Sequence, residues 1–575
     1  MKPSPGHFTK NNPGDEKILL GLLPYWTPLI PPMGISCLKG FLQKKGYAVK
    51  TVDLNIRGAF KNIYDKYHIL LKKCIPEETR GNFYNTANDV MQNHMMFHIN
   101  CKDEEEYIEF FKILIFKNYL CSIANREIEK LKGLLDEFYL ELETQFIDIL
   151  EKEKATILGL SVLGGSFAAS MFVFKLTRQR YPHIKTVMGG GIFSQDLDVG
   201  SENFKNFLEN ADYIDKIVVG EGENLFLKLL KNELPADKKI YTLKDIDNRI
   251  LSLSSLGSPA FSDFDMRDYV HLASYGSRSC PFQCSFCAET VYWGKYRKRN
   301  PKEVIAEMIR MFQKYKRQLF FFCDSLLNPI ITDLAREFIQ AGISLYWDGC
   351  LRVDKQVCDF KNTMLWRRGG FYRARIGAES GSSRILALMN KKITPEQIKD
   401  SISNLAEAGI KTTTYWVVGH PEETEEDFQQ TLDLVEALKD DVYEAECNPF
   451  RYFETGQADS NHWAVIAKKI PLYPVRNARD LLIAQTWSLD CKPSRELAME
   501  RLCRFTRHCQ RLGIANPYSL NDIYSADERW EKLHKNCVPP ILQLISENQH
   551  TDENQHLKEL LYGENKFKED GDFCF

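Results

Sequence analysis

The sequence predicts an α/β protein in three parts: a doubly wound N-terminal domain, a partial (β/α)6 barrel of parallel strands, and a helical C-terminal region. Three observations predict it. Short apolar runs alternate with helix-period segments from Lys17 to Leu230 and again from Val270 to Phe450. Glycine-bearing turns follow the apolar runs of the first stretch. The chain of 575 residues is also too long for one core.

Taken in order, "KILLGLL" from Lys17 reads as a strand, "PYWTPLIPPMG" as a turn-rich loop, "ISCLKGFLQKKG" as a helix and "YAVKTVDL" as a second strand. This is a βαβ start. A helical insertion at about 56–154 follows, in which segments such as "DEEEYIEFFKILIFKNYLC" mix charge and apolar residues at helical spacing, the pattern of solvated helix faces. The α/β pattern resumes with "ATILGLSVLGGS", "FAASMFVFKLTRQRYP", "IKTVMGGG" and "DKIVVGEGENLFLKLL", which makes five strands. "GLSVLGGS", "VMGGG" and "VVGEGE" fall at carboxyl ends of parallel strands, where such sheets bind ligands. Glycine also simply closes strand-to-helix turns, and none of the three is a GxGxxG fingerprint; it is their recurrence that favours a ligand.

The second unit begins near Val270. After "VHLASYG" and a cysteine loop, "NPKEVIAEMIRMFQKY" reads as a helix with Asn300 as cap, Pro301 at its first position and Glu303 closing a capping box. Strands "QLFFFCD", "SLYWDGCLRV", "YRARIGAES", "KTTTYWVVGHP" and "YEAECNPF" alternate with helices, giving six strands and five intervening helices. The division is then 1–16 as a flexible N-terminus, 17–235 as the first domain, 236–265 as a linker, 266–453 as the barrel, and 454–575 as the helical region with a mobile tail.

Composition excludes some partners. With 75 Lys plus Arg against 78 Asp plus Glu the net charge is -3, so neither nucleic acid nor an anionic membrane is expected. No stretch reaches the roughly 18 apolar residues of a membrane span, and the N-terminus lacks the apolar segment of a secretory signal. A soluble cytoplasmic protein is expected, acting on a small molecule or a peptide. Most of the sixteen cysteines read as buried free thiols.

One group differs. Within "YGSRSCPFQCSFCAET", Cys280, Cys284 and Cys287 stand at spacings of four and three, just past the first barrel strand, at the end where barrels place active sites. A closed zinc site wants four ligands in two pairs, and no second CxxC exists in the chain. Three thiolates can hold three irons of a [4Fe-4S] cluster and leave the fourth open to an outside ligand.

The CxxxCxxC spacing, with the aromatic Phe286 before the last cysteine and the surrounding barrel pattern, resembles the radical S-adenosylmethionine (radical SAM) superfamily. The resemblance implies that the open iron chelates S-adenosyl-L-methionine and that one electron cleaves it to methionine and a 5'-deoxyadenosyl radical. An electron donor such as flavodoxin or ferredoxin is implied with it. By their places in that layout Asp324 and Ser325 would face the methionine half, Arg352 would stand near the cofactor, and Glu379 with Ser380 would meet the ribose or the amine. "VVGHPEET" resembles the turn near adenine. Each polar residue also has a plain reading as a cap or salt bridge. Cys323, Cys350 and Cys447 read as buried thiols. Cys491, Cys503, Cys509, Cys537 and Cys574 lack the tight spacing of an auxiliary cluster, so one cluster is expected.

The N-terminal unit is similar to the cobalamin-binding domain fused to many radical SAM enzymes, over about Lys17 to Asn55 and Ala155 to Leu230. Backbone at Gly164, Gly165, Gly189, Gly190 and Gly220 would then meet the cofactor. "DLNIRG" resembles the DxHxxG ligand motif with Asn55 in place of His, but follows the second strand instead of the first. Cobalamin without histidine ligation is the expectation. The functions implied are a cobalamin-dependent radical SAM enzyme, most simply a methyltransferase acting on an unactivated carbon; a radical rearrangement, oxidation or epimerisation; or a non-catalytic iron-sulfur binding or sensing protein.

Overall fold

The structure is a computed structural model that describes residues 16–25, 30–194, 196–475, 486–516 and 520–534. The expected mobile tail, with Cys537 and Cys574, and all of the expected flexible N-terminus except Glu16 lie outside the described residues.

Strand β1 (Lys17–Leu22) leads through α1 (Met33–Gln43) to β2 (Ala48–Asp53). The insertion follows as α2 (Gly58–Cys74), α3 (Phe83–Asn100), α4 (Glu104–Tyr119) and α5 (Asn125–Glu153). Then come β3 (Ile157–Ser161), α6 (Phe167–Arg180), β4 (Lys185–Gly189), α7 (Glu202–Asn210), β5 (Lys216–Val218), α8 (Gly222–Leu230) and β6 (Ile240–Tyr241). The sheet is parallel in the order β2-β1-β3-β4-β5-β6, so the order reverses between β1 and β3 and opens a crevice at their carboxyl ends. The sheet thus has six strands where the sequence pattern shows five. The sixth comes from the stretch read as linker, and two residues are too few to display an alternation.

Alternate residues of β1 serve different cores: Leu19 joins the one built with the insertion, while Ile18, Leu20 and Leu22 face the other side. Helix α5 buries Ile128, Leu131, Leu135, Phe138, Leu142, Phe146 and Leu150, a stripe at steps of three and four. The insertion is therefore the cover of one sheet face as well as a charged exterior. Each large apolar side chain so buried contributes about 1.5–3 kcal/mol.

The connector carries α9 (Leu253–Leu256), and the barrel opens with β7 (Leu272–Ser274), β8 (Ser277–Arg278), α10 (Glu289–Trp293), β9 (Arg297–Lys298) and α11 (Pro301–Tyr315). Next are β10 (Leu319–Phe322), α12 (Ile331–Ala341), β11 (Tyr346–Leu351), α13 (Phe360–Arg368), β12 (Phe371–Glu379), α14 (Ser383–Leu388), α15 (Pro395–Glu407), β13 (Lys411–Val418), α16 (Glu425–Ala437) and β14 (Glu444–Pro449). Six parallel strands lie in the order β14-β13-β12-β11-β10-β7, and the two edge strands do not meet. This is the partial barrel the alternation predicts. Asn300 caps α11 by accepting from the Lys302 N–H, but Glu303 closes no capping box; its carboxylate accepts from the Ser254 hydroxyl at 2.9 Å instead.

The C-terminal region holds α17 (Ser460–Ile466), β15 (Lys468–Pro471), β16 (Trp487–Asp490), α18 (Arg495–Arg511) and α19 (Leu520–Leu533). The antiparallel β15–β16 pair departs from the all-helical expectation; its strands are too far apart in sequence to read as a tight hairpin. Met499, Leu502 and Phe505 of α18 join the barrel core, and the Ala445 N–H donates to the Ala515 carbonyl at 3.0 Å, which occupies part of the β14 edge.

Candidate active site

The three cysteines lie on a loop entered through a short antiparallel pairing of β8 with β9. Asp324, just past β10, fastens that entry: it accepts from the Gly276 N–H at 2.9 Å and from the Ser277 hydroxyl. Burial is the main cause that pushes its carboxyl up to about 7, partly offset by those hydrogen bonds. Both its oxygens thus serve the loop. Ser325 donates to Glu289 of α10.

Two further segments hold the loop by its backbone. After α14, the Met389 carbonyl accepts from the Ser285 N–H at 2.9 Å, and the Asn390 carboxamide donates to the Gln283 carbonyl at 2.6 Å. From the C-terminal region, the Gln457 carboxamide donates to the Phe286 carbonyl at 3.0 Å, and the Ala458 N–H to the Cys287 carbonyl at 3.1 Å. With that many anchors the loop has one shape, which presents Cys284 buried and Cys280 and Cys287 half-buried. Burial raises the Cys280 thiol and pushes the Cys287 thiol up to about 12, and the charges of the neighbouring cysteines add to both shifts. Among the described residues no three His, Cys, Asp or Glu side chains close around a single ion.

Around the loop stand the other residues named from sequence. The Arg352 guanidinium lies 3.3 Å (Nη1) from Cys284 Sγ. Glu379 ends β12 at a register shift, with φ of 64°, and its Oε1 accepts from Lys391 Nζ at 2.6 Å. Gly377 makes room for this pair, since a Cβ there would stand 2.2 Å from Glu379 Oε1. The Lys391 ammonium is in turn 5.9 Å from the centre of the Phe286 ring. Ser380 is fully buried, accepts from the Ser382 N–H at 3.1 Å and lies 3.3 Å from the Thr431 hydroxyl, so it packs toward α16. Arg352 and Glu379 therefore stand at the cysteine loop, whereas Asp324, Ser325 and Ser380 are engaged in bracing it or its neighbours.

One cavity adjoins the loop and another adjoins its flanks. One of about 330 Å³ at the barrel mouth is lined by Phe286, Val417, Asn448 and, from the helical insertion, Asn85. The other, about 600 Å³, lies between the two sheets, lined by Gly189, Gly190 and Gly220 on one side and by Tyr292, Phe321 and Arg375 on the other. Gly164 and Gly165 are not on its wall. Gly165 instead lies under the Tyr25 ring, which a Cβ would meet at 2.7 Å. Asn55 is on the wall, but its Oδ1 accepts from the Tyr25 N–H at 2.8 Å.

Sequence reasoning missed the residues that join the halves. Glu221 and Glu223 of "VVGEGE" pair with Arg278 at 3.0 and 2.6 Å, and Arg297 also bonds Glu221. Tyr292 donates its hydroxyl to the Gly190 carbonyl at 3.1 Å. Part of the glycine-rich edge is thus a docking surface for the cysteine loop's own flanks. The signal was present as an acidic pair beside a glycine turn, but no spacing rule links it to arginines more than fifty residues on.

A half-open parallel barrel with a three-cysteine loop past its first strand, set against a doubly wound domain, defines a class of iron-sulfur protein. Residues 274–435 match the radical SAM superfamily, and the chain carries a radical SAM domain behind a domain with the fold of the cobalamin-binding type. A radical SAM domain implies a [4Fe-4S] cluster and S-adenosylmethionine. The chain is 25% identical over 326 residues to the anaerobic magnesium-protoporphyrin IX monomethyl ester cyclase of Rubrivivax gelatinosus, an alignment over 52% of this chain and 57% of that protein. It thus spans little more than half the length of that curated relative. The solved structure of the radical S-adenosylmethionine methyltransferase TsrM from Kitasatospora setae, with cobalamin and a [4Fe-4S] cluster bound, is similar with a TM-score of 0.54 at 13% identity, over 93% of this chain and 99% of that one. The cobalamin-dependent radical enzyme OxsB, with aqua-cobalamin and S-adenosylmethionine bound, gives 0.51 at 14% identity, over 96% and 74%. At these identities the likeness is one of fold. No described helix is long and apolar enough to cross a membrane.

Proposed function

We propose that the chain is a cobalamin-dependent radical SAM methyltransferase acting on an unactivated carbon of a peptide or other natural product. The observation that carries the reading is that the cysteine loop borders one cavity at the barrel mouth through Phe286, while its flanks, Arg278 and Tyr292, wall a second cavity against the glycine edge of the first sheet. When bound, the [4Fe-4S] cluster supplies the electron that cleaves S-adenosylmethionine, and cobalamin supplies a methyl group to a carbon radical. Cys280, Cys284 and Cys287 would hold the cluster, and the Phe286 cavity would take the nucleoside end. In the larger cavity, backbone at Gly189, Gly190 and Gly220 and the apolar side chains Leu38, Leu163 and Phe226 would meet the face of the corrin ring. Among the described residues the histidine on its wall is His271, on the barrel side with Nε2 2.9 Å from the Tyr372 hydroxyl, and Asn55 on the first-domain side is committed to Tyr25, so a cobalt held without histidine from the first domain is the reading. Glu379 with Lys391 would meet the polar groups of S-adenosylmethionine. A low-potential reductant of the flavodoxin or ferredoxin kind is required.

A second reading, radical oxidation without methyl transfer, is favoured by the likeness to a protein named as a cyclase. One experiment separates them. Reduced, reconstituted protein is given methyl-labelled S-adenosylmethionine and a panel of candidate substrates, and 5'-deoxyadenosine, S-adenosylhomocysteine and label transfer are followed. Label on a carbon of the product supports methyl transfer; 5'-deoxyadenosine with substrate oxidation and no transferred label supports the second reading. No cleavage at all overturns both.

A further inference from the structure

Arg352 is 5% exposed, and its backbone is fixed on both sides by Asn328, which accepts from the Arg352 N–H at 2.8 Å and donates to its carbonyl at 2.8 Å. The guanidinium sits over Phe282, 4.1 Å from the ring centre, with Nη1 3.3 Å from Cys284 Sγ. Nη2 is buried without a hydrogen-bond partner among the described residues. Placing a cation there without an anion is costly. Three other arginines buried about as deeply face carboxylates: Arg299, Arg373 and Arg501 meet Glu307, Glu444 and Glu423 at 3.0, 2.6 and 2.7 Å. Arg352 has no carboxylate at ion-pair distance among the described residues, whereas Lys391 and Arg278, also beside the loop, are answered by Glu379 and by Glu221 with Glu223. What faces Arg352 is a cysteine sulfur. The counter-charge would be supplied by the anionic centre that the cysteines hold.

On the reading that these cysteines hold a [4Fe-4S] cluster, we infer that Arg352 sets the cluster's reduction potential. Reduction adds one negative charge, and a fixed guanidinium donating to a ligand sulfur favours the more negative state, so Arg352 raises the potential. Phe282 and Asn328 are the residues that keep it there. The role is one of positioning charge, distinct from any contact with substrate.

The test is an EPR-monitored redox titration of the full-length reconstituted protein without S-adenosylmethionine, alongside iron content. Arg352→Gln is expected to make reduction about tenfold less favourable, a potential about 59 mV lower for a one-electron couple. Arg352→Lys keeps the charge and should stay close to wild type. An unchanged potential in Arg352→Gln at full iron content overturns the inference. Should Arg352→Gln hold no iron, the lysine variant decides: iron retained at near wild-type potential upholds the charge role, while loss of iron from both folded variants makes Arg352 a shaping element of the loop and overturns it. A wild-type chain that takes up no cluster fails earlier, and that failure belongs to the parent reading.

Discussion

Lys391 Nζ donates to Glu379 Oε1 at 2.6 Å where both side chains are less than a tenth exposed, and this buried pair sits one aromatic ring away from the cysteine loop. Removing one partner strands the other. Glu379→Gln should therefore destabilise the fold by about 3–5 kcal/mol and weaken S-adenosylmethionine binding by about tenfold or more, with iron content unchanged. Glu379→Gln combined with Lys391→Met should regain much of the stability but none of the affinity. Melting temperature and cofactor affinity on one preparation check both; normal affinity with a depressed melting temperature would make the pair purely structural.

Alanine at Cys280, Cys284 and Cys287 together should abolish iron, sulfide and the broad visible absorption of the reconstituted protein, because no other described cysteine lies in the anchored loop. Full iron content in the triple variant would sink the assignment.

Gly222 lines the larger cavity with open space at its Cβ and no positive φ, so Gly222→Leu should fold normally while filling part of the cavity. Retention of hydroxocobalamin after desalting is expected to fall by about tenfold or more at unchanged iron content. Asn55→Ala should leave the spectrum of bound cobalamin as in wild type, since that carboxamide serves the Tyr25 backbone. Undiminished cobalamin binding in Gly222→Leu would move the cofactor out of this cavity.

Asp324 carries a pH dependence. Its folded value of about 7 lies above the unfolded 3.8, so between the two the folded chain holds the extra proton and stability falls as pH rises. Asp324→Asn cannot titrate. The difference in urea-unfolding free energy between about pH 5 and about pH 7 should shrink in the variant relative to wild type; an identical difference in both would show that the carboxyl does not titrate there.

The barrel was legible because β-rich segments, of which β10 is a plain apolar run, alternate with helices of the right length, and the cysteines because their spacing is local. The sixth strand of the first sheet was not, since Ile240 and Tyr241 alone carry no period. Nor were the residues that shape the site from afar. Asn85 reaches the barrel mouth from the insertion, and Gln457 grips the Phe286 carbonyl from beyond β14; both are single carboxamides whose partners are chosen by the tertiary fold. Charge gave a mixed lesson. "VVGEGE" drew attention for its glycines, while its glutamates hold Arg278.

Arg278 and Tyr292 bracket the cysteine loop in sequence, and the same two side chains wall the cavity against the first domain. The two places therefore share structural members, and a shift of either side chain on filling one would be felt at the other. Whatever factor the filling of one applies to the affinity of the other is returned in equal measure, because linkage is reciprocal for binding equilibria. With such a coupling, a dissociation constant measured for the large cavity would depend on whether the cysteine loop is loaded, and an affinity measured at the loop on whether the cavity is filled.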